Sequence, residues 1–417
     1  MQNRFTNAMV ISWQVGLLAA FPLQFFSLKL YFYTLIFASA CFLATEYRKE
    51  IFTKQKFYFV SPFIIFLLVN AIGIFYSENK TQAVKEVETY SAMLVLPLLW
   101  FSLPSQKVSL LKPIGLTVIV TTLAHCIIAH LLCVKDILSQ GRSLKLLFTS
   151  EDYHYVNLSY KAGIHPTYLG VLVIASLLLI WYISKNQKPV IKICTGILAL
   201  YLLTFLILLL SRGPLLGLLT ILFFGAVWRL RTARKRYKIL GYTSIGVIIA
   251  CVFLFPPLQN RFIDPVLRMI QAKSYHFDDD SLSYHIRSWI CAITSNQETK
   301  TILFGHGTGD ERETLNICYT QKQYHAMINS GLDAHNEYLS QYVKIGLFGL
   351  LSFLSILFVY FYEGYTQNKV VLTSYVILIA VVCLFESILH VSKGVFFISY
   401  LFPYFYLLEK ENTRTTT

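Results

Sequence analysis

Residues 166–210 read PTYLGVLVIASLLLIWYISKNQKPVIKICTGILALYLLTFLILLL, two apolar stretches divided by a short segment carrying Lys185, Lys188 and Lys192. Each stretch, 166–184 and 190–210, has about the twenty apolar residues that a helix needs to cross the hydrocarbon of a bilayer. The basic segment between them belongs on the cytoplasmic side, where positively charged turns accumulate. A crossing, a basic turn and a return crossing make a pattern that a soluble domain has no use for.

The same pattern extends in both directions. Apolar runs fall at about 10–26, 30–45, 57–76, 90–103 and 113–134 before this stretch, and at about 214–228, 239–255, 337–361, 370–389 and 394–408 after it. The expected fold is therefore all-α and polytopic, with about 12 transmembrane helices and one long, partly helical outer loop. Residues 1–255 would hold helices one to nine, 256–336 the long loop, and 337–417 helices ten to twelve with a short polar tail. The first run has no small-residue cleavage site after it, so it is expected to stay in the membrane.

Composition agrees. The chain is 55% hydrophobic and only 14% charged, too apolar for an ordinary soluble domain. Its formal charge of +14 would suit nucleic acid, but most of the cations sit in short turns between apolar runs, so topology accounts for them and no nucleic-acid partner is expected. The basic connectors at Glu46–Lys56, Lys185–Lys192 and Arg229–Lys238 are cytoplasmic on this reading, as are both termini. The segments 76–89, 135–161, 211–214, 256–336 and 390–393 then face outward, and the chemistry is expected there.

Five of the cysteines, Cys41, Cys126, Cys194, Cys251 and Cys383, fall in apolar runs and read as small buried hydrophobes. Cys291 and Cys318 share the long loop and could pair if that loop meets an oxidising compartment.

Arg212 lies in Ser211-Arg212-Gly213-Pro214, between two runs with almost no loop, which holds its guanidinium at the outer membrane face. A snorkelling arginine on lipid phosphate would have the same address, but a tight hairpin that positions one cation favours an anionic ligand. Arg287, with Trp289, lies in an amphipathic stretch of the long loop and is a second anion candidate, although a solvated helix arginine would look alike. The glycine-rich Gly305-His306-Gly307-Thr308-Gly309 reads as a tight turn, not a phosphate cradle, because it follows no strand of a βαβ unit.

His335, in Asp333-Ala334-His335-Asn336-Glu337, sits where the long loop re-enters the membrane, at a helix amino terminus. An imidazole there can move a proton near neutral pH and the helix end favours negative charge, while Asn336 and Glu337 are equally at home as caps. Lys85, His165 and Tyr168 lie on or near the same outer face and have ready structural explanations, a surface lysine and a helix start before Pro166. The acidic Asp278-Asp279-Asp280 has the DxD spacing of a metal site but no supporting ligands, so a solvated acidic stretch is preferred and no metal is expected. Topology nonetheless brings Arg212, Arg287, His335, Lys85 and His165, from five distant stretches, to one face. That suits the charge of a lipid-linked pyrophosphate.

At this point the sequence resembles the O-antigen ligase and polymerase family of bacterial membrane glycosyltransferases. The resemblance rests on Ser211-Arg212-Gly213, Arg287 with Trp289, the Gly305–Gly309 turn, and His335-Asn336-Glu337-Tyr338-Leu339 running into Gly346-Leu347-Phe348-Gly349. It implies an inner-membrane enzyme with a periplasmic site, an undecaprenyl-pyrophosphate-linked glycan as donor, and a lipid A-core sugar or growing glycan as acceptor. It also implies a metal-independent, inverting transfer without a cofactor. Carried over by position, Arg212 and Arg287 would bind the donor pyrophosphate, with Lys85 a less certain third, and His335 would be the essential histidine. The single dominant loop favours a ligase. A polymerase stays open because of the 135–161 loop with Arg142. A protein-directed transferase would be expected to run on well past the last helices, and a transporter would place its ionisable residues at midplane, where only Glu386 and Lys344 come close.

Overall fold

The computed structural model describes residues 2–47, 53–104, 110–232, 259 and 281–415. Their regular secondary structure is all helix, with no strand among them. Among the described residues, six helices are long and apolar enough to cross a membrane: Thr6–Phe26, Lys54–Tyr76, Leu111–Ser139, Pro166–Ser184, Pro189–Leu208 and Glu337–Thr366. Leu28–Leu43, Arg212–Trp228 and Val370–Val382 are apolar but shorter. The run at 239–255, Cys251 and the acidic triplet at 278–280 lie outside the described residues.

Three expected crossings differ in form. The run at 90–103 is a ten-residue helix, Ala92–Phe101, preceded at Ser91 by the separate helix Lys80–Tyr90. The run at 370–389 stops at Val382 and continues as non-helical chain and a 3-10 turn, Ile388–His390. The run at 394–408 is divided between Ser392–Ser399 and Leu401–Thr415. Hydropathy cannot see the breaks within 370–389 and 394–408, because the residues on both sides are apolar; what ends the helix at Val382 is the packing of Cys383–Ser387 against the start of the Glu337–Thr366 helix, where the Cys383 carbonyl accepts from the Glu337 N–H at 2.8 Å.

The interior is rich in aromatic side chains, and three of its buried or half-buried tyrosine hydroxyls donate to backbone carbonyls of other segments. Tyr400 donates to the Leu17 carbonyl at 2.7 Å, Tyr404 to that of Leu111 at 3.0 Å and Tyr338 to that of Ala380 at 2.8 Å. Outward faces carry Ile65, Leu68, Ile72 and Phe75, and Ile193, Ile197 and Leu200, all exposed, as lipid-facing side chains should be. Cys194 lies on the second of these faces and is exposed, which corrects the expectation that it is buried; Cys41, Cys126 and Cys383 are buried as expected.

The glycine-rich turn is structural. The Glu337–Thr366 helix breaks at Gly346, whose φ of +62° no ordinary helical residue adopts. The break frees the carbonyls of Val343 and Lys344, which accept from the backbone N–H groups of His306 at 3.0 Å and Gly307 at 2.8 Å. Those N–H groups are thus committed to the chain itself. Gly305, at φ +69°, lies so close to Lys344 and Ile345 that a Cβ would collide with their backbone.

Within the long loop the described part forms four helices, Ser281–Ser295, Thr299–Phe304, Glu311–Gln321 and His325–Ser330. Cys291 and Cys318 form a disulfide that joins the first of these to the third.

Candidate active site

A cavity of about 200 Å³ opens between the ends of the helices and the long loop. His165, Thr167, Ser211, Arg212, His335 and Glu386 line it, together with Tyr155, Tyr284 and His285. Each group is placed by a local feature. His165 is the N-cap of Pro166–Ser184. Arg212 is the first residue of its helix, after a three-residue hairpin in which Leu210 takes φ +46°. Tyr284 and His285 come from Ser281–Ser295, and Glu386 from the non-helical segment beyond Val382.

His335 sits just before the Glu337–Thr366 helix, with its backbone at φ +45°. A non-glycine residue pays for that left-handed conformation, and here Asp333 compensates by accepting the His335 N–H at 2.8 Å. The His335 ring stands 3.4 Å from the same carboxylate and 5.0 Å, centroid to centroid, from His285. Asn336 caps the helix by accepting from the Leu339 N–H at 3.1 Å. Glu337 is fully buried and accepts from the Leu389 N–H at 2.9 Å and from Gln341 Nε2 at 2.8 Å, so it ties two segments together and does not face the cavity.

Of the residues singled out from the sequence, Arg212, His165 and His335 meet at the cavity. Tyr168 is buried one turn below His165, its ring 5.8 Å away. Arg287 does not line the cavity: it is 9% exposed, with its guanidinium 4.9 Å over the Tyr324 ring, on the helix that presents Tyr284 and His285. Lys85 points outward and is exposed, far from any role in lining this space. Its neighbour Glu86, a third of a helical turn away, points inward.

Glu86 belongs to a buried charge cluster that the sequence reading missed. Lys344 is completely buried, with its ammonium 2.6 Å from Glu86, 3.3 Å from Glu311 and 3.2 Å from the Tyr90 hydroxyl. Glu311 Oε2 accepts from Ser340 at 2.6 Å and lies 3.0 Å from His390 Nε2. The other ring nitrogen of His390 lies 3.0 Å from Asp333 Oδ2. A continuous line of polar contacts therefore runs from Lys344 through Glu311, His390 and Asp333 to His335 at the cavity. A signal for it did exist, since Lys344, Glu386 and His390 interrupt apolar surroundings and ionisable residues there are expensive. Glu86 and Glu311 could not be told from ordinary loop acids.

Electrostatics follow burial and pairing. Burial pushes the Glu386 carboxyl up to about 7, with the Thr167 hydroxyl donating to it at 3.3 Å. Burial, aided by the neighbouring His335, pulls His165 down to about 4, so it is neutral at physiological pH. Burial alone would raise the Asp333 carboxyl, but His390 and His335 hold it well below the usual range. Burial and Lys344 would lower His390, yet Glu311 and Asp333 hold its imidazolium well above the ordinary histidine range. The cavity thus combines a guanidinium at a helix amino terminus, an arrangement that attracts anions, with a histidine backed by a carboxylate and a carboxyl that titrates near neutrality.

No curated protein matches the chain. A family profile described as O-antigen ligase matches residues 197–354, a segment that includes Arg212, Arg287, Glu311, His335 and Lys344, and this match supports placing the chain in the O-antigen ligase and polymerase family.

Proposed function

We propose that this chain is an O-antigen ligase-type glycosyltransferase that moves a polysaccharide from undecaprenyl pyrophosphate to a lipid A-core sugar in the periplasm. The observation that carries the reading is the meeting of Arg212, His165, His335 and Glu386 in one cavity at the ends of apolar helices. A lipid-linked donor needs that address: its chain stays in the bilayer while its pyrophosphate meets a fixed cation. The Cys291–Cys318 disulfide supports an oxidising, periplasmic location for the loop that closes the site.

In the proposed reaction an acceptor hydroxyl attacks the anomeric carbon from the face opposite the pyrophosphate. The new glycosidic C–O bond forms as the bond to the pyrophosphate oxygen breaks, with inversion. His335 takes the hydroxyl proton, and Arg212, with the amino terminus of its helix, stabilises the charge that develops on the leaving pyrophosphate. Arg287 is the second candidate cation for that leaving group, on the helix that forms the cavity wall. Lys85, exposed and turned away, is assigned no contact with the donor in this scheme.

The test is a strain deleted for the gene, complemented with the wild type or with His335→Ala, whose lipopolysaccharide and undecaprenyl-linked glycans are resolved. Long lipid-linked chains beside bare core identify a ligase. Single repeat units on both carrier and core identify a polymerase; Tyr155, which brings the 135–161 loop to the cavity, is the one contact that favours this second reading.

A further inference from the structure

We propose that Asp333 is the positioning residue of His335, and that the buried line Lys344–Glu311–His390 holds Asp333 in that pose. The inference rests on the role of His335 proposed above.

Three observations carry it. First, the two oxygens of Asp333 are divided between the site and the interior. Oδ1 accepts the His335 N–H at 2.8 Å and lies 3.4 Å from His335 Nδ1, while Oδ2 lies 3.0 Å from His390 Nδ1. One carboxylate therefore fixes both the backbone and the ring of the residue at the cavity, and it is itself held from behind. Second, His335 takes a left-handed backbone that it would not adopt unaided, so the side chain that compensates also sets where the imidazole points. Third, the support is rigid. His390 Nε2 donates to Glu311 at 3.0 Å, and the same Glu311 oxygen accepts from Ser340 at 2.6 Å and pairs with Lys344 at 3.3 Å, both of which stand on the helix that follows His335. The turn at Ile388–His390, the loop helix Glu311–Gln321 and the Glu337–Thr366 helix are thus locked to one another behind the imidazole.

Charges buried this deeply are costly, and packing alone would be served as well by apolar side chains. An arrangement that ends on the ring of a proton-transferring histidine gains something that apolar packing does not provide. A carboxylate 3.4 Å from Nδ1 favours the tautomer that carries its proton on that nitrogen, which presents Nε2 as the base. Asp333 acts through His335 and touches no substrate.

The discriminating variant is Asp333→Asn in the full chain, purified in detergent and assayed with undecaprenyl-pyrophosphate-linked glycan and lipid A-core acceptor. Asparagine keeps an oxygen for the His335 N–H, so a residue that merely caps this turn would be replaced without loss. Its amide nitrogen, however, would face the protonated Nδ1 of His390, donor against donor, and the line would break. The expected result is a kcat lower by roughly ten- to hundredfold with donor KM unchanged. His390→Gln is expected to lower kcat in the same way, and it stands in if the first variant does not yield a monodisperse protein. A wild-type kcat in Asp333→Asn, or a loss confined to KM, overturns the inference. His335→Ala, run alongside, separates the two claims. If it is inactive while Asp333→Asn is normal, only the positioning role fails; if it is fully active, the proposed role of His335 fails and the inference with it.

Discussion

Lys344 offers the sharpest test of the buried cluster. It is 0% exposed, and its ammonium is shared by Glu86 at 2.6 Å and Glu311 at 3.3 Å, themselves only 12% and 2% exposed at their side chains. Lys344→Met fills the same space with an apolar side chain, so no cavity forms and the lost charge is the whole perturbation. Glu86 would be left without its cation, and Glu311 would keep His390 as its cationic partner beside the Ser340 hydroxyl and the Ala334 N–H. Removing one partner of a buried pair costs about 3–5 kcal/mol, because the remaining charge stays desolvated. Equilibrium unfolding of the detergent-solubilised chain should show a loss of that size. The double variant Lys344→Met/Glu86→Gln removes the orphaned charge while leaving Glu311 and His390 paired, and it should recover at least half of the loss. If the single variant costs less than about 1 kcal/mol, or the double is no more stable than the single, the ion pairs as described are not what holds these elements together.

Three further outcomes are expected. Arg212→Lys keeps the charge but not the planar fork, and should lower kcat/KM for transfer by roughly ten- to a hundredfold; full activity would remove Arg212 from the leaving-group role. Glu386, held at about 7 by burial, is neutral below that pH and charged above it, so donor KM should rise as pH rises through neutrality from repulsion between its carboxylate and the pyrophosphate. Glu386→Gln should make donor KM flat over the same range, and an unchanged pH dependence would show that Glu386 does not meet the donor. Replacing Cys291 and Cys318 together by Ser releases a link across a sequence separation of 27 residues and should cost about 3–4 kcal/mol of stability by unfolding assay. No change on reduction of the wild type would indicate that the two cysteines are not paired.

Read without the structure, the sequence already specifies a helical membrane protein, because bilayer thickness and the cost of unsatisfied backbone groups in hydrocarbon act on each apolar run separately. For the same reason it placed Arg212, His165 and His335: each stands at the end of a run, and the end of a run is an address at the membrane surface. It also read the Gly305–Gly309 segment correctly as a turn, since positive φ is a property of single residues. What it could not show was which neighbours share a space. Lys85 and Glu86 are adjacent in a charged segment, and only the packing of Lys80–Tyr90 turns Glu86 toward Lys344 and leaves Lys85 outside. Arg287 has the right composition around it, yet its side chain lies on the ring of Tyr324, while Tyr284 and His285, one turn earlier, reach the cavity. Nor did hydropathy reveal that the run at 370–389 breaks at Val382, which frees Glu386 to line the site and His390 to stand behind Asp333. Asp333, His390, Glu311, Lys344 and Glu86 come from four separate stretches, and their contacts arise only when those stretches pack. Each is paired because the others are there, and a pairing of that kind is decided by tertiary structure alone.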